Sequence, residues 1–175
     1  MSNELGKVHV LTGSGKGKTT AAFGLAMRAA GHGLKVCIIQ FMKTGETTGE
    51  VVSARHISGI EVVQYGTGWF ADSKNLTDED RAKAREGFER AKKVLSDGSY
   101  QLVVLDEINT IVSFGLVSAE DVMDALMSRA NGVEVVLTGR NAPLEFIQIA
   151  DYVSVVESKK HPFDDGVSAR KGIEW

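Results

Sequence analysis

Short apolar runs recur along the chain, and the stretches between them carry apolar residues at helical spacing. Lys7 to Thr12 is the first run, with Val8, Val10 and Leu11 around His9, and it predicts a strand. Lys35 to Phe41 (Val36, Cys37, Ile38, Ile39) is almost continuously apolar, as in a parallel strand covered on both faces. Ile60 to Tyr65, Leu102 to Asp106, Val133 to Thr138 and Tyr152 to Val156 predict the remaining strands. Thr19 to Ala30 reads as a helix with Phe23, Met27 and Ala30 on one stripe, and with Ala22, Gly24, Ala26 and Ala29 small enough to pack closely on a sheet. Gly31 and Gly33 end it. Thr77 and Asp80 form a capping-box-like pair before a helix whose buried stripe is Ala84, Phe88, Ala91 and Leu95, stopped by Gly98. Ser118 and Asp121 open another, with Val122, Met123, Leu126 and Met127 inward and an end near Asn131-Gly132. A short helix is expected around Glu50 to His56, and one from Pro143 through Ala150. The tail from Glu157 to Trp175 has no clear period.

Strands alternating with helices predict an α/β fold: a mostly parallel sheet of about six strands joined by right-handed crossovers. A chain of 175 residues, 43% of them hydrophobic, suits a single domain spanning 1–175 with a sizeable core. The net charge of −3 argues against a nucleic-acid-binding surface. The one cysteine, Cys37, lies in an apolar run and reads as a buried thiol, which together with the lack of a signal peptide points to a reducing cytoplasm. No segment approaches the roughly 18 apolar residues of a membrane span.

In sheets of this kind ligands bind at the carboxyl ends of the strands, so the informative loops follow Leu11, Phe41, Tyr65, Leu105 and Thr138. The first is Gly13-Ser14-Gly15-Lys16-Gly17-Lys18-Thr19-Thr20, between a strand and a helix. Its glycines let backbone N–H groups converge on phosphate, Lys18 can reach the terminal phosphates, and the Thr19 hydroxyl can meet magnesium. This predicts a three-layer P-loop nucleotide-binding fold of the RecA-like kind. Strict spacing would put a glycine at position 12, where this chain has Thr12, so the turn starts at Gly13. A turn that is merely structural is the alternative, and the strand–loop–helix context weighs against it.

Asp106-Glu107, at the end of an apolar strand, are candidate magnesium residues near the β- and γ-phosphates, against the plainer reading of a solvated strand end. Glu107 could instead activate water, which keeps hydrolysis open. Trp69 and Phe70, in the Gly-rich loop after Gly66-Thr67-Gly68, suit either a flat apolar ligand or a loop anchor tucked into the core. His9, His32 and His56 have no metal-ligand spacing.

These residues resemble the ATP:corrinoid adenosyltransferases of the type with a nucleotide-binding α/β fold, across nearly the whole chain. The resemblance rests on Thr12-Gly13-x-Gly15-Lys16-Gly17-Lys18-Thr19-Thr20-Ala21-Ala22-Phe23-Gly24, on Arg28 and Gly31-His32-Gly33, and on Gln40-Phe41-x-Lys43. It continues through Gly66-Thr67-Gly68, Val104-Leu105-Asp106-Glu107, Thr138-Gly139-Arg140 and Lys160-His161-x-Phe163-Asp164-x-Gly166. The family's own loop has threonine at the position of Thr12. The resemblance implies attack by the Co(I) of a reduced corrinoid on the ribose C5′ of ATP, with release of intact triphosphate. It implies that Arg28 and Arg140 join the loop in binding ATP, and that Trp69 displaces the lower axial ligand of Co(II). Ala71 stands where the family has a second aromatic, so Phe70 beside it would substitute for that residue in the catalytic role. A homodimer and an electron-donating reductase are implied as well. Two rivals remain at this point: an ATPase or small-molecule kinase that uses Glu107, and a non-catalytic nucleotide sensor that signals through the Trp69-Phe70 loop.

Overall fold

The computed structural model describes residues 5–45, 48–68 and 75–175. Its strands are β1 (Val8–Thr12), β2 (Val36–Gln40), β3 (Ile60–Gln64), β4 (Leu102–Asp106), β5 (Glu134–Thr138) and β6 (Tyr152–Val155). They form one sheet in the order β3-β2-β4-β5-β1-β6, and every pairing is parallel. Side chains alternate across it and divide the core in two. Val36, Ile38, Leu102, Val104 and Val136 meet α1 (Lys18–Gly31) and α2 (Gly49–Ala54) on one face. Val8, Val10, Ile39, Val103, Leu105, Val135 and Leu137 meet the other layer: α3 (Asp78–Asp97), α4 (Ile108–Ser113), α5 (Ala119–Met127) and α6 (Leu144–Ile149). The three-layer α/β architecture expected from the apolar periodicity is therefore present.

The N-terminus of α3 follows the expectation closely. The Thr77 side chain accepts from the Asp80 backbone while Asp80 accepts from the Thr77 backbone at 2.8 Å, and Ala84, Phe88, Ala91 and Leu95 are buried. Asp80 also accepts a hydrogen bond from the Thr67 hydroxyl. The cap thus ties the Gly66-Thr67-Gly68 loop to the helix, and the Gly66 N–H donates to the Lys43 carbonyl on the other side.

Three details depart from the sequence-based expectation. Met27 and Met127 are 54% and 72% exposed, because α1 lies on the sheet through Ala22, Phe23 and Ala26, and α5 turns Val122, Ala125 and Leu126 inward. Helix α5 ends at Met127, short of Asn131-Gly132. Helix α4 is not predicted by the sequence pattern: the strand is expected to end at Asp106, and a left-handed Glu107 (φ 68°) turns the chain directly into a helix.

Burial opposes the charge on Asp80, but the bonds from Thr67 and Thr77 outweigh it and hold its pKa below the usual carboxylate value. A depressed carboxylate stabilises fully above its unfolded pKa, near 4, and loses that contribution as pH falls through the folded value. Asp80→Ala is expected to cost about 1–2 kcal/mol at neutral pH by denaturant titration, and the gap to wild type is expected to narrow below about pH 4.

Candidate active site

The carboxyl edge of the sheet carries a row of polar side chains. Gln64, Gln40 and Asp106 end β3, β2 and β4 and are paired across the strands in register. Thr138 ends β5. By strand alternation all four project to the face covered by α1, beside its N-terminus. Asp106 is fully buried and collects the donors of this row. Its Oδ1 accepts from Thr138 Oγ1 at 2.7 Å and from Thr19 Oγ1 at 2.8 Å, and its Oδ2 accepts from Gln40 Nε2 at 2.9 Å. Lys43 Nζ lies 3.8 Å from the same Oδ2 and 3.1 Å from Glu50. Strand β5 stands between β4 and the loop-bearing β1, so Thr138 fills the gap that the Thr19 hydroxyl must span to reach the acid.

The loop between β1 and α1 is built from both of its ends. Thr12 belongs to the strand: its hydroxyl accepts from the Ala142 N–H at 3.2 Å, and its carbonyl accepts from the Val156 N–H at 2.8 Å. Gly13 then turns with φ 102°, and a Cβ there would sit 2.4 Å from the Val156 carbonyl oxygen. The Gly15 N–H donates to that carbonyl at 2.7 Å, which leaves the N–H groups further along the loop to face a ligand. Gly17, left-handed at φ 117°, opens α1, whose first turn contains no acidic side chain. A 14-residue helix starting this way concentrates unpaired N–H groups and the positive end of its dipole at the loop.

Lys18 is buried and donates to the carbonyls of Gly13 and Gly15, both at 2.8 Å, so its ammonium lies across the mouth of the loop. Burial lowers its pKa, the Arg140 charge adds to that, and Glu107 and Asp106 oppose it. Glu107 shows the converse. Burial and then the Asp106 charge raise its pKa, against the Thr110 hydroxyl and the charges of Lys18 and Lys43. Thr110 Oγ1 donates to Glu107 at 2.5 Å and accepts from the Arg140 N–H at 3.0 Å, joining the loop after β4 to the loop after β5. Lys16 turns the other way, donating to Glu174 at 2.8 Å and to the Ile173 carbonyl at 3.0 Å. The C-terminal tail is thereby clasped to the outside of the loop.

The model of the ATP:corrinoid adenosyltransferase BtuR/CobO/CobP family matches residues 4–175. The chain belongs to this family. It is 40% identical to the corrinoid adenosyltransferase of Escherichia coli strain K12, over 99% of this chain and 87% of that protein. The corresponding protein of Salmonella typhimurium strain LT2 is 38% identical over 98% of this chain and 87% of its own length, and that of Pseudomonas aeruginosa 37% over 99% and 85%. The relatives do not favour the ATPase or kinase alternative. Among solved structures, a KaiC-like protein from Pyrococcus horikoshii OT3 shares the fold, with a TM-score of 0.55 and 14% identity over 87% of this chain and 72% of that one.

Of the adenosyltransferase site residues expected from sequence, the structure gathers Gly13, Ser14, Gly15, Gly17, Lys18 and Thr19 in one loop, with Asp106 and Glu107 facing it. Thr20 is exposed in the first turn of α1. Arg140 is exposed, but near enough for its charge to act on Lys18. Arg28 is not brought to the loop: it is exposed in the last turn of α1, ten residues and so about 15 Å along the axis from Lys18. Trp69 and Phe70 lie outside the described residues. Sequence reasoning passed over Gln64, Thr110 and the part Thr138 plays. A signal existed, since β1 to β5 each end on a hydrogen-bonding side chain: Thr12, Gln40, Gln64, Asp106 and Thr138.

Gly13→Ala meets both a clash and a left-handed backbone, whereas a Cβ on Gly17 has open space and meets only the backbone strain. Gly17→Ala is expected to cost about 1–3 kcal/mol and Gly13→Ala more, in paired thermal unfolding measurements. The reverse ranking would contradict this geometry.

Proposed function

We propose that the chain joins the 5′-deoxyadenosyl group of ATP to the Co(I) of a reduced corrinoid, with the triphosphate held in the Gly13–Thr20 loop as an intact leaving group. The cobalt–carbon bond forms with the electron pair of Co(I), the bond between C5′ and oxygen breaks, and its pair departs with the triphosphate. The observation that carries the reading is the setting of Lys18. A buried ammonium across a glycine loop at a helix N-terminus suits an oxyanion that gains charge as it leaves. Co(I) is a strong enough nucleophile to need no general base, which leaves Glu107 free to stay bonded to the Thr110 hydroxyl.

Thr19, Asp106 and Glu107 offer only hard oxygen donors, a set that suits magnesium. Among the described residues no three His, Cys, Asp or Glu side chains form a metal cluster, so phosphate and water would complete the shell. The cation would neutralise charge on the departing triphosphate. Arg140 would bind the nucleotide from the loop after β5. Arg28, remote from the loop in one chain, would serve ATP only in an assembled enzyme. Trp69, with Phe70 beside it, would empty the lower axial position of Co(II) so that a reductase can deliver the electron.

A homodimer belongs to the reading, and the exposed Tyr152, Val153 and Val155 of β6 offer apolar surface for it. A cytoplasmic setting suits a chain with one cysteine, buried and unpaired. No described helix is long and apolar enough to cross a membrane.

With ATP, magnesium and a corrinoid under strong reduction, Lys18→Ala is expected to lose about 10²- to 10³-fold in kcat, followed by light-sensitive alkylcobalt absorbance. Near-normal turnover would place the triphosphate elsewhere. Trp69→Ala is expected to impair reduction of Co(II) more than transfer from pre-formed Co(I). Equal effects on the two steps would remove the axial-ligand role.

A further inference from the structure

We propose that Gln40 and Gln64 are positioning residues for the adenosyl transfer: a one-way hydrogen-bond relay running from the sheet edge that sets the orientation of the Asp106 carboxylate. The inference rests on the reading of Asp106 as a cation-site residue. Three contacts define the relay. Gln64 Nε2 donates to Gln40 Oε1 at 2.8 Å, Gln40 Nε2 donates to Asp106 Oδ2 at 2.9 Å, and Thr138 and Thr19 meet Oδ1 from the other side.

The direction of the relay follows from donor and acceptor chemistry. An ionised carboxylate only accepts, so the fully buried Gln40 must turn its NH2 group toward Asp106. Its carbonyl oxygen then faces β3, and Gln64 must present its own NH2 group to it. A Gln40 amide turned the other way would set its carbonyl oxygen against a buried negative charge. Asp106 thus dictates the orientation of Gln40, and Gln64 supports it from the far side by satisfying the Gln40 carbonyl oxygen, although it does not itself touch the acid.

The consequence concerns Thr19. Donors from β2 and β5 hold the two oxygens of Asp106 apart in fixed directions, so the Thr19 hydroxyl meets an Oδ1 that cannot swing away. Without Gln40, Oδ2 keeps only the ammonium of Lys43, which is 3.8 Å away and shared with Glu50. The carboxylate could then rotate about its bond to Cβ, and the hydroxyl–carboxylate pair would lose its shape.

The test uses Mn2+ as the cation probe and ATP without corrinoid, with bound Mn2+ read by electron paramagnetic resonance and ATP affinity measured with and without metal. Gln40→Met keeps the shape and removes the relay. It is expected to weaken Mn2+ binding to the ATP complex by roughly ten- to a hundredfold, the usual effect of losing a hydrogen-bond partner of a metal ligand, while metal-free ATP binding stays unchanged. Gln64→Met should do less. Gln64→Glu should do more than Gln64→Met, because an acceptor at position 64 draws the Gln40 NH2 group away from Asp106. In the Gln40→Met background both position-64 substitutions should lose their effect.

Position-64 effects that persist in that background, or Gln64→Met and Gln64→Glu that behave alike, would overturn the relay. If Gln40→Met fails to fold, the ranking of the two half-buried position-64 variants decides alone. Wild-type ATP binding that ignores Mn2+ would instead overturn the cation reading on which the relay rests.

Discussion

A carboxylate shut away from water has to be surrounded by donors, and the carboxyl edge of this sheet is organised to meet that demand for Asp106. Its partners come from three separate pieces of chain: Gln40 on β2, Thr138 on β5 and Thr19 on α1. Removing any one leaves a buried charge short of a partner, at a cost of roughly 1.5–3 kcal/mol. The sheet order enters directly, because the inserted β5 supplies the hydroxyl that fills the space between the acid strand and the loop strand. The Thr19 contact also ties the first turn of α1 to the acid strand.

Around that centre, neighbouring parts hold one another in place. Val156, just past β6, sets the turn at Gly13 and takes the Gly15 N–H, so the edge strand shapes the phosphate loop. Thr110 ties Glu107 to the backbone of Arg140. Asp80 ties the root of the aromatic loop to α3. Each link is a polar side chain at the end of a strand or helix, where the backbone leaves groups unpaired and a ligand can approach. Chemistry at C5′ would suit this arrangement, with the triphosphate in the loop and the far end of ATP open to the corrinoid.

Much of this was legible in the sequence, for identifiable reasons. Short continuous apolar runs rich in Val and Ile suit strands buried on both faces, and the glycine loop followed by Lys18 and Thr19 has few other uses between a strand and a helix. The capping pair Thr77 and Asp80 was visible because its chemistry is local. What escaped depends on distances across the sheet. Gln64 and Gln40 are 24 residues apart, and Gln40 and Asp106 are 66 apart; nothing local says that they touch. Helix α4 escaped because one left-handed residue, Glu107, separates it from an apolar strand. Met27 was misplaced because α1, lying on the sheet through Ala22, Phe23 and Ala26, buries a narrower stripe than apolar spacing suggests, and Met127 because α5 ends there with Val122, Ala125 and Leu126 as its buried side.

The central claim is that the buried edge around Lys18 and Asp106 holds a triphosphate that leaves whole. Phosphorus NMR of the products formed from ATP and a corrinoid reduced to Co(I) tests it most directly. The account predicts the resonances of inorganic triphosphate, in proportion to the adenosylated corrinoid formed. Orthophosphate or diphosphate appearing as the primary product, ahead of any triphosphate, would contradict it.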